Sequence, residues 1–322
     1  MSLIKQKNNK EFDIKRVGIT YLIKLENEAP LNENMIEETG NIHKRITLYN
    51  GIEKAKRSGN SIKAQHRRAI ADLIGKDETQ CNSTENPCGE CLACALHGFA
   101  MVHGNNSMHS SMVSFSDAVS VETADDCITG LTETMLKSPI QSADVSPQPF
   151  SYERVKAGTH LVGTAYLTLT GRKTDWEFVF EDEKQIIDAF WYGLRSVLTN
   201  QTYQQTVMTA RHDARFTPEL LIVSEVRKLP ADIMVSPDLT ITDAQKAKDD
   251  LKAKANMLKS LLKQGDGNVI DIIEGSEILK YLSNKGHVTN KNVKSTCKVK
   301  NKKKESSEKS KEEAEAVGES GE

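Results

Sequence analysis

Four cysteines fall within fourteen residues: Cys81, Cys88, Cys91 and Cys94, spaced C-x6-C-x2-C-x2-C. Thiolates at this spacing suit a tetrahedral ion, because a CxxC turn presents two sulfurs to one metal and a second pair closes the site. The surrounding residues 76–110 are rich in Cys, Asn, Ser, Gly and Met. They hold too little apolar material to fold alone, which gives a structural zinc a physical job there. His97, three residues past Cys94, is the alternative fourth ligand. Iron–sulfur ligation and a group of free thiols are the other readings of such a run. No H-E-x-x-H or H-x-E pattern stands nearby to activate a metal-bound water, so the expected role is structural. The remaining cysteines, Cys127 and Cys297, are isolated and receive no role.

A second chemical signal is positive charge. Lys44, Arg45, Lys54, Lys56, Arg57, Lys63, Arg67 and Arg68 are opposed in their stretch only by Glu53. The whole chain carries 43 Lys plus Arg against 45 Asp plus Glu, a net charge of −2, which excludes binding of nucleic acid by bulk charge. A local stripe in a nearly neutral chain is nevertheless the footprint of a phosphate backbone. Lys63 and Arg67, at i and i+4, lie on one side of an expected helix. The plainer reading is a solvated helix face beside a Lys-rich loop. Catalytic signatures are missing: there is no GxSxG, Walker loop, Rossmann glycine set or kinase motif. His160 reads as a packed strand histidine, and Asp117, Asp125 and Asp126 as solvated loop acids.

The elements that must position these groups follow from periodicity. Residues 16–25 place Val17, Ile19, Tyr21, Ile23 and Leu25 on one face at period two, a half-buried strand. Residues 26–60 show no clean period and read as a long loop. Residues 61–74 read as a helix capped by Ser61 and ended by Gly75, with Ile62, His66, Ala69, Ile70 and Leu73 on one face. Residues 113–121 are a weak strand and 128–157 a polar loop. A strand over 159–169 turns Leu161, Ala165, Leu167 and Leu169 one way and Val162 and Tyr166 the other, with 176–180 as its hairpin partner. The clearest helix, 182–199, carries Ile186, Ile187, Phe190, Trp191, Leu194, Val197 and Leu198 as its apolar face, and a buried strand 220–226 follows.

Strand–helix–strand thus occurs twice. The expected fold is α+β, a ferredoxin-like, RRM-type sheet core with long insertions, one of them zinc-binding. The core spans residues 1–240, with the insertion at 76–157 holding the zinc-binding segment 81–97. Residues 241–284 form a helical extension. Its helix 243–264 has Leu251, Met257, Leu258, Leu261 and Leu262 as a sparse stripe, and 269–283 reads as one further short helix. Residues 285–304 hold eight lysines and no carboxylate, and 285–322 read as a disordered charged tail. At 38% hydrophobic and 27% charged residues the chain buries a core. No apolar run reaches membrane-spanning length, and no signal-peptide pattern opens the chain, so a cytoplasmic location is expected.

The order of features resembles a known family. A strand, a basic helix, ENPCGECLACALHGFA at 85–100, MHSSMVSFSDAVS at 108–120, AGTHLVGTAYLTLTG, the 182–199 helix and YQQTVMTAR at 203–211 are similar to the backbone subunit of the type I-D CRISPR interference complex. The resemblance covers roughly residues 12–240. It implies a repeat-associated RNA-binding subunit that oligomerises along the guide crRNA and presents it for pairing with target single-stranded DNA or RNA, beside other CRISPR effector subunits. It also implies that Arg45, Lys54, Lys56, Arg57, Lys63, Arg67 and Arg68 contact guide phosphates, and that Ser110, Ser111 and Arg211 touch the guide. The alternatives are a subunit that also cuts the bound target through a loop acid (Glu37, Glu38 or Asp117), or a zinc-containing DNA-binding regulator.

Overall fold

Strand Arg16–Leu25 alternates as expected, but it is buried on both faces. Val17, Ile19, Tyr21, Ile23 and Leu25 face one core, and Leu22 faces a second. The computed structural model describes residues 4–7, 11–31, 33–36, 40–75, 81, 87–101, 107–134, 149–169, 175–203, 212–228, 234–262, 267–289, 291 and 293–297. In its nine-stranded sheet, His212–Val226, Arg16–Leu25, His160–Thr168 and Ala118–Ser120 lie side by side, each antiparallel to its neighbour. The first strand–helix–strand unit therefore supplies Arg16–Leu25 and Ala118–Ser120, and the second inserts His160–Thr168 between them. Val113–Phe115 also pairs with His160–Thr168, so the weak strand expected at 113–121 is two short ones. Glu53–Arg57 and Arg45–Thr47 extend one end of the sheet, and Asn200–Tyr203 and Val269–Glu274 pair with His212–Val226 at the other.

Helices Gly59–Leu73 and Glu183–Thr199 pack together over the first face. Every apolar residue expected on the second helix is buried. Close approach is possible because residue 193 is glycine: a Cβ there would lie 2.7 Å from the His66 ring. The cap of the first helix is Ser58, whose hydroxyl accepts from the Ser61 N–H at 3.3 Å, so Ser61 belongs to the first turn rather than the cap. Ile62, His66 and Ile70 are buried as expected, but Arg67 joins them while Ala69 and Leu73 are half-buried.

The opposite face is covered by helix Ala244–Leu261, capped by Asp243. Ala247, Leu251 and Ala255, four residues apart, seat on a sheet surface made of Leu22, Val162, Leu220, Ile222 and Ile270. This cover is why the half-buried expectation for Arg16–Leu25 fails. Met257 and Leu261, expected in the helix's apolar stripe, are each 65% exposed. The stretch read as one short helix is strand Val269–Glu274 followed by helix Ser276–Lys285, so the extension is not purely helical.

Further sheets among the described residues depart from the expected layout. Ile128–Thr134, Pro149–Val155, Gly40–His43 and Glu33–Ile36 form a four-stranded sheet in that order. Their sequences show no apolar alternation, which is why 26–60 and 128–157 read as irregular. Trp176–Phe180 is not the hairpin partner of the preceding strand. It pairs parallel with Ile4–Gln6 and antiparallel with Lys294–Cys297. The last of these lies in the stretch expected to be disordered, so ordered structure continues to residue 297. Residues 298–322 lie outside those described.

Candidate metal centre and nucleic-acid surface

Cys91 caps helix Leu92–His97 and Cys94 sits in it, while Cys81 and Cys88 approach from the preceding segment. The four Sγ atoms all lie within 4.8 Å of one another. Cys81 and Cys94 sulfurs are 3.7 Å apart. A tetrahedron with metal–sulfur arms of about 2.3 Å has sulfurs about 3.8 Å apart, so the set fits a single tetrahedral ion. Backbone N–H groups point at the sulfurs: Cys88 to Cys81 at 3.2 Å, Glu90 to Cys88 at 3.3 Å and Cys94 to Cys91 at 3.4 Å. Such donors favour thiolate. Burial above all pushes Cys81 up to about 12, whereas the Cys91 thiol and other neighbours, Arg67 among them, pull Cys94 down to about 5. Four sulfurs this close to one another can surround one ion and leave no room for a multi-iron cluster, whose cysteines bind different irons.

His97 stands outside the four-sulfur group, and both of its ring nitrogens are engaged elsewhere. Its Nδ1 lies 2.9 Å from Ala93 O, and its Nε2 lies 2.8 Å from His66 Nδ1. His66 Nε2 in turn reaches Phe190 O at 2.9 Å. Both imidazoles thus bind the cysteine insertion to the two core helices, and burial holds His66 down to about 4 and His97 well below its ordinary value. The turn out of the short helix requires Gly98, at φ +72°, where a Cβ would lie 2.4 Å from His109 O. Trp176 walls the other side: its ring lies over Gly89, stands 5.3 Å from Phe99, and its indole N–H donates to Ser107 Oγ at 3.2 Å.

The basic segment divides by depth. Lys54, Arg57 and Arg67 are interior, at 0, 0 and 3% exposure. Lys54 Nζ donates to Val121 O and Ile241 O, tying the C-terminal extension to the sheet. Arg57 donates to Val197 O and Gln65 Oε1 and lies over the Phe216 ring. Arg67 donates to Cys81 O at 2.7 Å and to Gly98 O at 2.9 Å, with a third nitrogen 3.6 Å from Cys94 Sγ. These three sequence-predicted phosphate contacts are therefore spent on packing, because buried cations need partners and here find them indoors. Arg45 is accessible and paired with Glu153 at 2.7 Å; Lys56 pairs with Asp117 at 3.0 Å. Lys63 is half-buried and Arg68 exposed.

Ser110 is half-buried, and Ser111 Oγ lies 2.6 Å from Val113 O. Arg211, Glu37 and Glu38 lie outside the described residues. Asp117 accepts from the Gly59 N–H at 2.8 Å as well as from Lys56. Burial raises its carboxyl, but these two donors outweigh it and hold it below the usual carboxylate range. It serves the helix start. His160 is less inert than its strand position implied: Glu122 accepts from it at 2.7 Å, raising its affinity for a proton against the cost of burial.

Sequence reasoning missed Tyr49. It is 93% exposed at the tip of the hairpin joining Arg45–Thr47 to Glu53–Arg57. That tip is held by Leu48 N–H to Ile52 O and Gly51 N–H to Leu48 O, both 2.9 Å. The signal was present as the Asn50-Gly51 turn pair between two short runs. The sheet face opposite the core helices, by contrast, is aliphatic and roofed, so no open aromatic platform stands there among the described residues.

No described helix is long and apolar enough to cross a membrane. No protein-family model matches the sequence, and no curated protein does. Among solved structures, a CRISPR RNA-guided surveillance complex described as pre-nicking holds a chain that superposes with a TM-score of 0.49 at 14% identity, covering 79% of this chain and 90% of that one. Thermofilum pendens Csc2 gives 0.45 at 15% identity, covering 80% and 78%. A chain of a CRISPR RNA-guided surveillance complex gives 0.52 at 16% identity, covering 80% and 88%. This last superposition establishes that the mixed α+β chain shares its fold with a chain of an RNA-guided surveillance complex.

Proposed function

We propose that this chain is a crRNA-binding backbone subunit of a CRISPR interference complex of the type I-D kind. Copies assemble along the guide and hold it for pairing with target single-stranded DNA or RNA, beside other effector subunits. Base pairing reads sequence and the protein reads backbone. What carries the reading is the shared α+β fold over four fifths of the chain, whose interleaved strands we read as a ferredoxin-like, RRM-type core. The motif runs at 85–100 and 108–120 carry the family resemblance. The guide surface consists of Arg45, Lys56, Lys63 and Arg68, with Ser110, Ser111 and Arg211 as further guide contacts and Tyr49 as an aromatic on which a base can stack. Zinc on Cys81, Cys88, Cys91 and Cys94 is structural, and the subunit is a scaffold rather than a nuclease; the engagement of Asp117 with Lys56 and Gly59 supports that. Light scattering of the purified chain with single-stranded RNAs of increasing length tests it. The number of bound copies rises with RNA length. A fixed stoichiometry, or a preference for duplex DNA, refutes the reading.

A further inference from the structure

The basic helix Gly59–Leu73 carries two adjacent arginines with opposite fates. Arg68 points to solvent, whereas Arg67 is 3% exposed. All three guanidinium nitrogens of Arg67 are directed at the cysteine segment: Nε at Cys81 O, Nη1 at Gly98 O and Nη2 at Cys94 Sγ. Two of these partners belong to sulfur-bearing residues of the tetrahedral set, and the third is the glycine that ends the short helix. A divalent ion held by four thiolates leaves two negative charges in a buried place. An uncompensated buried charge is expensive, and a fixed cation at hydrogen-bond range offsets it. Arg67 places a cationic nitrogen 3.6 Å from one of these sulfurs, that of Cys94.

We propose that Arg67 is a positioning residue of the metal centre rather than an RNA contact, and that through it metal occupancy sets the pose of the helix presenting Lys63 and Arg68. The inference rests on the metal reading of the four cysteines. The planar guanidinium fork spans two carbonyls and a sulfur at once, which an ammonium cannot do. Loss of the ion removes what Arg67 neutralises and leaves four competing thiols next to a buried cation. The helix then loses its register against the insertion, and the phosphate-binding side chains on it lose their common orientation. Nucleic-acid affinity becomes metal-dependent although no metal ligand touches nucleic acid.

The test uses the full chain with Arg67→Gln, Arg67→Lys and Arg68→Gln, variants that keep bulk and separate charge from hydrogen bonding. Zinc retention is read by competition with a chromophoric chelator, and affinity for a single-stranded RNA by anisotropy across salt, with and without metal. Arg67→Gln is expected to lose zinc about 10–100-fold more readily, the usual cost of an outer-shell partner, and Arg67→Lys to retain more of it than Arg67→Gln. Arg68→Gln keeps its zinc and lowers the salt slope of RNA binding by about 0.7. Stripping zinc from the wild type weakens RNA binding. The proposal is overturned if Arg67→Gln holds zinc as tightly as wild type, if Gln outperforms Lys, or if Arg67→Gln lowers the salt slope as Arg68→Gln does while keeping its metal. A wild-type chain that takes up no zinc instead overturns the metal reading itself.

Discussion

Consider neutralising Arg45, Lys56, Lys63 and Arg68 together, each to Gln, and separately neutralising the interior pair Lys54 and Arg57. Binding to single strands loses about 0.7 of log–log salt slope per phosphate contact removed. Seven contacts from the whole basic segment would amount to a slope of about 4.9, but depth removes three of them, leaving about 2.8. Glu153 and Asp117 already hold Arg45 and Lys56 at 2.7 and 3.0 Å. Carboxylates that keep their partners lower the loss below that figure. The expected fall for the four-site variant is therefore at most about 2.8. At the upper end, raising salt from about 50 to 200 mM weakens the variant about fifty-fold less than the wild type. The interior pair should leave the slope alone and instead destabilise the fold, because Val121 O, Ile241 O and Val197 O each lose a donor at about 1–3 kcal/mol apiece. Fluorescence anisotropy over a salt series, paired with urea denaturation, reads both quantities. A fall near 4.9, or a slope change from the interior variants with unaltered stability, refutes the depth argument.

Two other outcomes follow from burial. His43 and His66 are each pushed down to about 4 by burial, so the folded state resists a proton that the unfolded chain accepts near 6.5. Stability is full above that value and falls as pH drops toward 4, by about 2 kcal/mol per histidine at pH 5; equal urea midpoints at pH 7 and pH 5 would contradict it. Leu251→Ala opens a gap between the covering helix and the sheet where the side chain is 1% exposed, at a cost of about 2–5 kcal/mol, and an unchanged melting temperature would mean that the helix does not seal that face.

What could be read from the sequence was whatever a local period or spacing encodes. The Glu183–Thr199 helix repeats its apolar residues at helical spacing, and all of them are buried. The cysteine spacing identified the one place, among the described residues, where four sulfurs meet. Leu161, Ala165 and Leu167 turned to one core and Val162 to the other, as alternation required. Depth of charge was not legible, because a lysine in a strand looks the same whether it meets water or the carbonyls of Val121 and Ile241. The clue for Arg67 was weak: it lies one position past His66 on the Ile62–His66–Ile70 stripe, at the margin of the buried arc. Pairings between remote segments, such as Gly40–His43 with Pro149–Val155, left no local trace, since short strands with little apolar alternation look like loops. The second-face burial of Arg16–Leu25 was hidden for a related reason: the element that causes it, Ala244–Leu261, lies far downstream in the chain.

The placement of Trp176–Phe180 between Ile4–Gln6 and Lys294–Cys297 sets an order of events during biosynthesis. One partner precedes the cysteines in the chain and the other lies near residue 297, so the three-stranded unit cannot close until residue 297 has emerged. A two-stranded pairing is marginal by itself, and long loops close last. Trp176 is the wall that shelters the insertion, through Gly89, Phe99 and Ser107. The thiols are therefore synthesised early and enclosed late, which leaves the nascent chain a window in which an ion can enter by an open side. Once Lys294–Cys297 docks, that side shuts, and an ion held there as proposed would exchange through it only when the least local part of the described fold reopens.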